Sequence, residues 1–183
     1  MGLRRALIAL ALIVALPLCA AADAAAVALQ LRVKAAFLYK FAGFVEWPQG
    51  AFADAQSPIV IAVAGADDVA RELEAATADR MVAGRSLQVR RLAAAEKPGD
   101  CCQILFVGAR NDPARTTELL ANAQGRPVLT VTERESDHPH GSVINFVPAD
   151  DRVRFDISRE AAEKNSLQLR SQLLGVARQV RTQ

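Results

Sequence analysis

Apolar residues recur at three- and four-residue steps through the segment 29–47, which is the spacing of one face of an amphipathic helix. These residues are Leu29, Val33, Phe37, Phe41, Phe44 and Val45. Pro48 follows Trp47. Because the residue before a proline is disfavoured in the α conformation, we predict that this first helix ends at Trp47.

The middle of the chain alternates between short apolar runs and longer amphipathic segments. The runs predict buried strands, which are 59–64, 86–92, 102–107 and 128–132. The amphipathic segments predict helices at 67–78 and 113–125. Asp67 and Asp68 offer capping oxygens and negative charge at the start of the first of these helices. Asp112 and Pro113 are a cap followed by a first-turn proline.

The last third of the chain begins with two more apolar runs, 143–147 and 153–157, around the turn sequence Pro-Ala-Asp-Asp. This pattern predicts an antiparallel hairpin. Ser158 then starts a final helical region that bends around Asn165 and Ser166. Its last part is expected to present one apolar side, formed by Leu169, Leu173, Leu174, Val176, Ala177 and Val180.

Alternation of strands and helices predicts an α/β fold with a mostly parallel sheet, helices on both faces and right-handed crossovers. A C-terminal antiparallel hairpin and a final helix complete the expected architecture. No internal repeat and no low-complexity linker divides the sequence. We therefore expect residues 25–183 to form a single α/β domain.

The N-terminus has the order of features of a secretory signal peptide. Arg4 and Arg5 precede an uncharged apolar run at 6–18, and small residues including Ala22-Asp23-Ala24 follow. The run is shorter than the roughly 20 residues that a membrane-spanning helix needs. We predict that residues 1–24 are a signal peptide, that the protein is periplasmic, and that it does not insert into the membrane after cleavage. Cleavage after Ala21, an uncleaved anchor and a lipoprotein modified at Cys19 are alternatives.

Composition limits the expected partners and the cysteine chemistry. The chain has 22 basic and 20 acidic residues, and its net charge without residues 1–24 is about +1. This balance favours neither nucleic acid nor an anionic membrane surface as a partner. Only Cys101 and Cys102 follow the signal segment, and a disulfide between adjacent residues forms an awkward ring. They are expected to be two buried thiols or, alternatively, to form an intermolecular disulfide.

Candidate chemistry is sparse. His138 and His140 flank Pro139 in a polar segment, 133–140, that we expect to be an exposed loop. A catalytic zinc site needs three protein ligands, so we predict no metal site there. The sequence lacks a G-x-S-x-G motif, a Walker loop and a G-x-G-x-x-G motif after a strand. Gly65 before the helix at 67–78 suggests a tight turn rather than a phosphate site. We predict no catalytic residues, no cofactor and no enzymatic activity.

Several blocks together resemble the YfiR family of exported bacterial proteins. The blocks are Lys34–Phe41, Phe44–Pro48, Pro58–Ile61 with Gly65, Gly84-Arg85 with Val89-Arg90, Cys102–Val107, Val128–Val131, Gly141 with Ile144, Arg154–Ile157, and Ser171–Leu174 through Ala177. The resemblance covers nearly the whole chain after the predicted signal peptide. One departure is the strand Ile61-Ala62-Val63, which lacks the cysteine that family members often pair with the mid-chain cysteine.

The resemblance implies a periplasmic repressor that binds the sensor domain of an inner-membrane diguanylate cyclase. Such binding lowers cyclic-di-GMP, and release of the repressor favours biofilm growth. It also implies that the chain can form a homodimer. A partner that binds one state of the sensor more tightly shifts its equilibrium without catalysis.

We expect the partner to contact an exposed apolar surface that includes Phe44 and Trp47, or Leu169 near the C-terminus. The alternative is that these side chains face the core. A second hypothesis for function is a periplasmic small-molecule sensor with its ligand at the carboxyl ends of the strands. A third is an enzyme that uses Asp67 or His138.

Overall fold

The structure is a computed structural model that describes residues 24–98, 102–135, 137–149 and 152–182. The helices are α1 (24–41), α2 (Asp67–Thr77), α3 (Pro113–Ala123), α4 (Arg159–Lys164) and α5 (Ser171–Val176), with a 3₁₀ turn at Ala42–Phe44. The strands are β1 (Val45–Glu46), β2 (Ile59–Ala64), β3 (Met81–Val82), β4 (Arg85–Leu92), β5 (Ile104–Val107), β6 (Leu129–Glu133), β7 (Ile144–Ala149), β8 (Arg152–Ser158), β9 (Gln168–Leu169) and β10 (Gln179–Arg181). Except for Ala24, the predicted signal peptide lies outside the described residues and stays a prediction.

Eight strands form one mixed sheet in the order β10-β8-β7-β6-β5-β2-β4-β3. The neighbours from β4 through β2, β5 and β6 to β7 are parallel. Strands β7 and β8 form the expected antiparallel hairpin, with Phe146 opposite Phe155. The prediction of a mostly parallel sheet with a C-terminal hairpin is confirmed.

Helices cover both faces of this sheet, as predicted. The first face carries α1, α2, α4 and α5, whose buried side chains form one cluster with Ile61, Phe106 and Val131. The second face carries α3, whose Leu119 packs with Leu105 in a smaller cluster. Alternate strand residues point to opposite faces, which is why continuous apolar runs supply both clusters.

Four aromatic rings anchor α1 to the hairpin. Phe41 lies 5.9 Å from Phe146 and 5.1 Å from Phe155 between ring centroids, and Phe37 lies 5.3 Å from Phe155. Phe41 is 1% exposed. Aromatic pairs at these separations are stabilising beyond the area that they bury. The helical spacing of residues 37 and 41 in the sequence therefore does mark the buried side of α1.

The prediction that the first helix reaches Trp47 is wrong at its end. Helix α1 ends at residue 41, and after the 3₁₀ turn Val45 lies in β1, opposite Leu169 of β9. The helix therefore ends before Pro48 could terminate it. Pairing with a strand that is distant in sequence overrides the local helical pattern.

The prediction of one apolar helical side from Leu169 to Val180 is also wrong. Leu169 lies in β9, α5 is only six residues long, and Val180 lies in β10 beside Ile157. The start of the region is as predicted, because the Ala161 N–H donates to Ser158 Oγ at the beginning of α4. The chain leaves the helical conformation where the open edge of β8 offers backbone hydrogen bonds to β10.

The expected side-chain cap of α2 is not formed. The N-cap residue is Ala66, which has no capping side chain, and Asp67 and Asp68 lie within the first turn. Their negative charge still favours the helix N-terminus. The predicted cap of α3 is present, because Asp112 Oδ1 accepts a hydrogen bond of 2.7 Å from the Arg115 N–H.

Candidate partner-binding surface

Two of the three residues expected to contact a partner, Phe44 and Leu169, are brought together by a small antiparallel ribbon, β1–β9. Val45 lies opposite Leu169, and the Arg170 N–H donates to the Phe44 carbonyl oxygen at 3.0 Å. An exposed ion pair between Arg170 and Glu46 spans the ribbon at 3.6 Å. Residues more than 120 positions apart in sequence thus form one surface.

Trp47 lies just beyond this ribbon and has mainly internal contacts. Its indole Nε1–H donates to the Ala42 carbonyl oxygen at 3.4 Å, and its ring meets the Phe52 ring edge-on at 6.0 Å. The Arg85 guanidinium lies 3.8 Å from the centroid of Phe52. Trp47 therefore shapes the base of the loop that follows β1, and its role in partner contact stays a prediction.

A groove with both polar and apolar lining adjoins the ribbon on the side of α4 and α5. Its volume is about 280 Å³, and its walls include Ala162, Leu167, Leu169 and Leu174. Arg159 and Glu163, both on α4, line it as charged groups. Phe44, Trp47 and Leu169 are half-buried and pack against the core cluster of the first face. The surface thus has an apolar floor and a rim that carries both signs of charge.

The most exposed large apolar side chains lie outside the lining of this groove. Val27 and Leu29 near the start of α1 are 58% and 62% exposed, Met81 on β3 is 67% exposed, and Val176 at the end of α5 is 62% exposed. Val176 is the one of these on the elements that form the groove. Single exposed apolar residues are common on protein surfaces, so these four side chains do not by themselves mark a partner surface.

A larger cavity lies at the carboxyl ends of β6 and β7. Its volume is about 370 Å³, and Gln30 and Lys34 of α1 face Phe146, Pro148 and other residues across it. A half-buried ion pair joins α1 to the sheet at this end, with Lys34 Nζ 2.5 Å from Glu133 Oε1. The cavity has the size of a small-molecule site and is at the sheet edge where α/β proteins bind ligands.

The usual ligand crevice of an α/β sheet is largely filled here, and a small pocket of about 160 Å³ remains beside it. Strand order reverses between β2 and β5, where such a crevice would open. The Asn111 Nδ2–H₂ group fills this position and donates to the carbonyl oxygens of Ala64 and Gly108 at 2.9 and 3.1 Å. Gly65, at φ +63°, forms the tight turn that the sequence suggested.

The segment predicted as an exposed loop around the two histidines is partly buried, so that prediction is wrong in part. The Arg134 N–H donates to Asn145 Oδ1 at 3.0 Å, and Asn145 Nδ2 donates to the Arg134 carbonyl oxygen at 2.9 Å. His138 Nε2 donates to the Ser142 carbonyl oxygen at 2.6 Å. These buried polar partners, which the strand patterns do not reveal, hold the loop against the second face of the sheet.

The structure describes only one of the two cysteines. Cys102 is 4% exposed and belongs to the smaller core cluster, whereas Cys101 lies outside the described residues. Disulfide exchange requires an accessible thiol. An intermolecular disulfide stays a prediction, and Cys101 is the residue that it would more readily involve.

Two other features are absent from the described part of the chain. Across residues 24–98, 102–135, 137–149 and 152–182, no three His, Cys, Asp or Glu side chains converge as metal ligands. In the same ranges, no helix has the length and apolar character that spanning a membrane requires.

Comparison with known proteins identifies the family. Residues 31–178 match the DUF4154 family, which is described as YfiR/HmsC-like. The chain belongs to the YfiR/HmsC-like family. No curated protein matches the chain. The match spans every element from the middle of α1 to the end of α5, and membership of this family fits a regulatory protein.

The groove of this YfiR/HmsC-like chain was not predicted from the sequence. Leu167, Leu169 and Leu174 reach the groove from a loop, a strand and a short helix, and their spacing of two and five residues follows no single helical or strand period. One available signal was Gly175, which disfavours a long helix at that point. The pairing of β1 with β9 had no local signal, because each strand has only two residues.

Proposed function

We propose that this protein is a periplasmic negative regulator that binds the sensor domain of an inner-membrane diguanylate cyclase and lowers cyclic-di-GMP signalling. The observation that carries the proposal is the match of residues 31–178 to the YfiR/HmsC-like family. The family resemblance implies that its members are exported repressors of such a cyclase. Binding energy alone suffices, since a partner that prefers one state of a sensor shifts its equilibrium.

The groove beside β1–β9 is the surface on which we place the cyclase contact. Its apolar floor, formed by residues such as Leu169 and Leu174, can bury side chains of a partner. Arg159 and Glu163 on α4 provide charges that orient a partner, because rim charges act mainly on specificity and association rate. Phe44 and Leu169 contribute their exposed parts.

Intracellular cyclic-di-GMP in the native host, with and without the gene, tests the function. Deletion should raise cyclic-di-GMP, and expression of the full chain should reverse the rise. A version without residues 1–24 should fail to reverse it, because it stays on the wrong side of the membrane. Unchanged cyclic-di-GMP after deletion, under several growth conditions, would contradict the proposal.

Charge reversal separates the groove from the rest of the surface. Glu163→Arg should raise cyclic-di-GMP towards the level of the deletion strain. Asp79→Arg is the control, since Asp79 is also an exposed carboxylate but lies just after α2. Immunoblots of the periplasmic fraction must show equal amounts of both variants. Equal repression by both variants would place the contact elsewhere without affecting the regulatory proposal.

A second candidate function is small-molecule sensing, and the cavity at the carboxyl ends of β6 and β7 favours it. Its volume of about 370 Å³ and its mixed lining of Lys34, Glu133 and Phe146 suit a ligand with polar and apolar parts. A thermal-shift screen of the purified protein against small metabolites tests this hypothesis. A hit that is lost in Lys34→Met would support it, and a hit retained in that variant would place the ligand elsewhere.

A further inference from the structure

A second, smaller cavity lies beneath the histidine loop. Its volume is about 120 Å³, the space of about four water molecules. His138 and His140 from the loop, Glu160 and Lys164 from α4, and Arg181 from β10 line it. Neither the regulatory surface nor the family match assigns a role to this site.

The hydrogen bond of His138 fixes which of its ring nitrogens carries the proton. Nε2 lies 2.6 Å from the Ser142 carbonyl oxygen, which can only accept, so Nε2 is the donor. In the neutral ring Nδ1 is then an acceptor. This Nδ1 atom is buried and has no hydrogen-bond partner among the described residues. Burial lowers the pKa of His138, which favours the neutral ring.

Arg181 supplies the complementary unpartnered group. Its Nε–H is also buried without a partner in the described part of the chain. The neighbouring carboxylate, Asp156, is engaged by Arg178, which donates from Nε and Nη2 at 2.8 and 2.5 Å. Arg181 Nη2 is 4.0 Å from Asp156 Oδ2, beyond hydrogen-bond distance. One acceptor, His138 Nδ1, and one donor, Arg181 Nε–H, are thus unsatisfied buried atoms on side chains that line the same cavity.

The remaining charges around the cavity favour an anion. Lys164 and Glu160 neutralise each other at 2.6 Å, and the bidentate bond from Arg178 offsets the charge of Asp156. Arg181 is the charge left over among the groups that line the cavity. A planar guanidinium is well suited to phosphate oxygens.

We propose that this cavity binds a phosphate group as its monoanion, H₂PO₄⁻ for inorganic phosphate or ROPO₃H⁻ for a monoester. The phosphate hydroxyl donates to His138 Nδ1, and a second phosphate oxygen accepts from Arg181 Nε–H. One proton lies between Nδ1 and the ligand, whether it arrives on the phosphate or on the imidazole. Inorganic phosphate and the phosphate of a small monoester share this chemistry.

Titration of the purified chain with inorganic phosphate tests the site. The ¹⁵N resonance of His138 Nδ1 should shift saturably, and calorimetry should give the same dissociation constant. Arg181→Gln should weaken binding about tenfold or more, as expected for the loss of a charge-assisted hydrogen bond. The matched control is Arg154→Gln, since Arg154 is an exposed arginine on β8, and it should change the dissociation constant less than about twofold.

Three further measurements on the wild-type protein test the proposal if Arg181→Gln does not fold. Wild-type affinity for phosphate should fall as pH rises, by about tenfold per unit once the phosphate loses its second proton. Sulfate, which has no proton to donate near neutral pH, should bind more weakly than phosphate at pH 7. Methyl phosphate distinguishes free phosphate from a phosphate monoester as the ligand. It should bind as tightly as inorganic phosphate only if the cavity has room for the ester group.

Several outcomes would overturn the proposal. One is an unshifted Nδ1 resonance up to about 20 mM phosphate, well above a millimolar dissociation constant. Another is equal weakening by Arg154→Gln and Arg181→Gln, which would indicate general charge attraction. Affinity that is constant or increases with pH would show that the monoanion is not the bound form. Each result would mean that water, or contact between the two nitrogen atoms themselves, satisfies His138 and Arg181.

Discussion

Gly65→Ala should destabilise the protein by about 2–5 kcal/mol, because two separate costs combine. An L-residue at φ +63° pays about 1–2 kcal/mol relative to glycine. A Cβ at this position would also lie 2.8 Å from Asn111 Cγ, so the Asn111 side chain must move. Its two hydrogen bonds, to the carbonyl oxygens of Ala64 and Gly108, contribute about 0.5–1.5 kcal/mol each.

Urea unfolding monitored by circular dichroism measures this cost, and thermal unfolding should show a lower Tm by roughly 5–15 °C. Gly84→Ala is the matched control. Gly84 has φ +77°, and no atom lies within 4 Å of the point that a Cβ would occupy, so only the backbone cost of about 1–2 kcal/mol remains. The difference between the two variants isolates the contact with Asn111.

A double-mutant cycle supplies the decisive comparison. Asn111→Ala alone loses the same two hydrogen bonds that Gly65→Ala is expected to break. The double variant should therefore cost about 1–3 kcal/mol less than the sum of the single variants, because that loss would otherwise be counted twice. Costs that add to within about 0.5 kcal/mol would refute the reasoning, since they would show that the new Cβ leaves Asn111 in place.

Three further predictions concern the core, a helix cap and pH. Phe41→Ala should cost about 3–5 kcal/mol in urea unfolding, because it leaves a cavity among the rings that join α1 to the hairpin. Asp112→Ala should cost about 1 kcal/mol in the same assay, since the Arg115 N–H loses its capping oxygen. Burial lowers the pKa of His138 below its usual value of 6.5. Without phosphate, the unfolded chain therefore binds more protons than the folded chain below pH 6.5, and the free energy of unfolding should decrease as the pH falls below this value. His138→Gln should remove that part of the pH dependence, and an unchanged slope would contradict the assignment.

The central strands and helices could be predicted because each has its own local signal. Ile59–Ala64 and Ile104–Val107 are continuous apolar runs buried on both faces. The sequence Asp112-Pro113 marks the start of α3, and the structure shows its capping bond. Where the local pattern and the tertiary environment agree, the sequence pattern suffices.

The ends of the chain could not be predicted in the same way, because contacts distant in sequence decide them. Val45 and Leu169 continue helical apolar patterns, yet they pair with each other as strands. Val180 joins the sheet because β8 would otherwise be an open edge. The spacing of apolar residues in one segment does not show which strand edge of the sheet remains free. That depends on segments elsewhere in the chain.

Asp156 shows the same limitation in the candidate anion site. Its position between Phe155 and Ile157 predicts only that it faces away from α1, by the alternation of a strand. That it is 1% exposed and engaged by Arg178 follows from the return of the C-terminal segment along β8. The unpartnered nitrogen of Arg181 arises because Arg178 already satisfies this carboxylate, so the site is a property of the fold rather than of a motif.

Helix α4 connects the groove beside β1–β9 with the small cavity. Glu160 and Lys164 line the small cavity, whereas Arg159 and Glu163 line the groove. Ser158 caps the helix and also lines the small cavity. Ala161 and Ala162 of this helix are buried in the core cluster of the first face, so α4 is held in place between the two sites. If both sites are occupied as proposed, any effect of phosphate on partner affinity must be matched by an equal effect of the partner on phosphate affinity, since coupling between two binding sites is reciprocal.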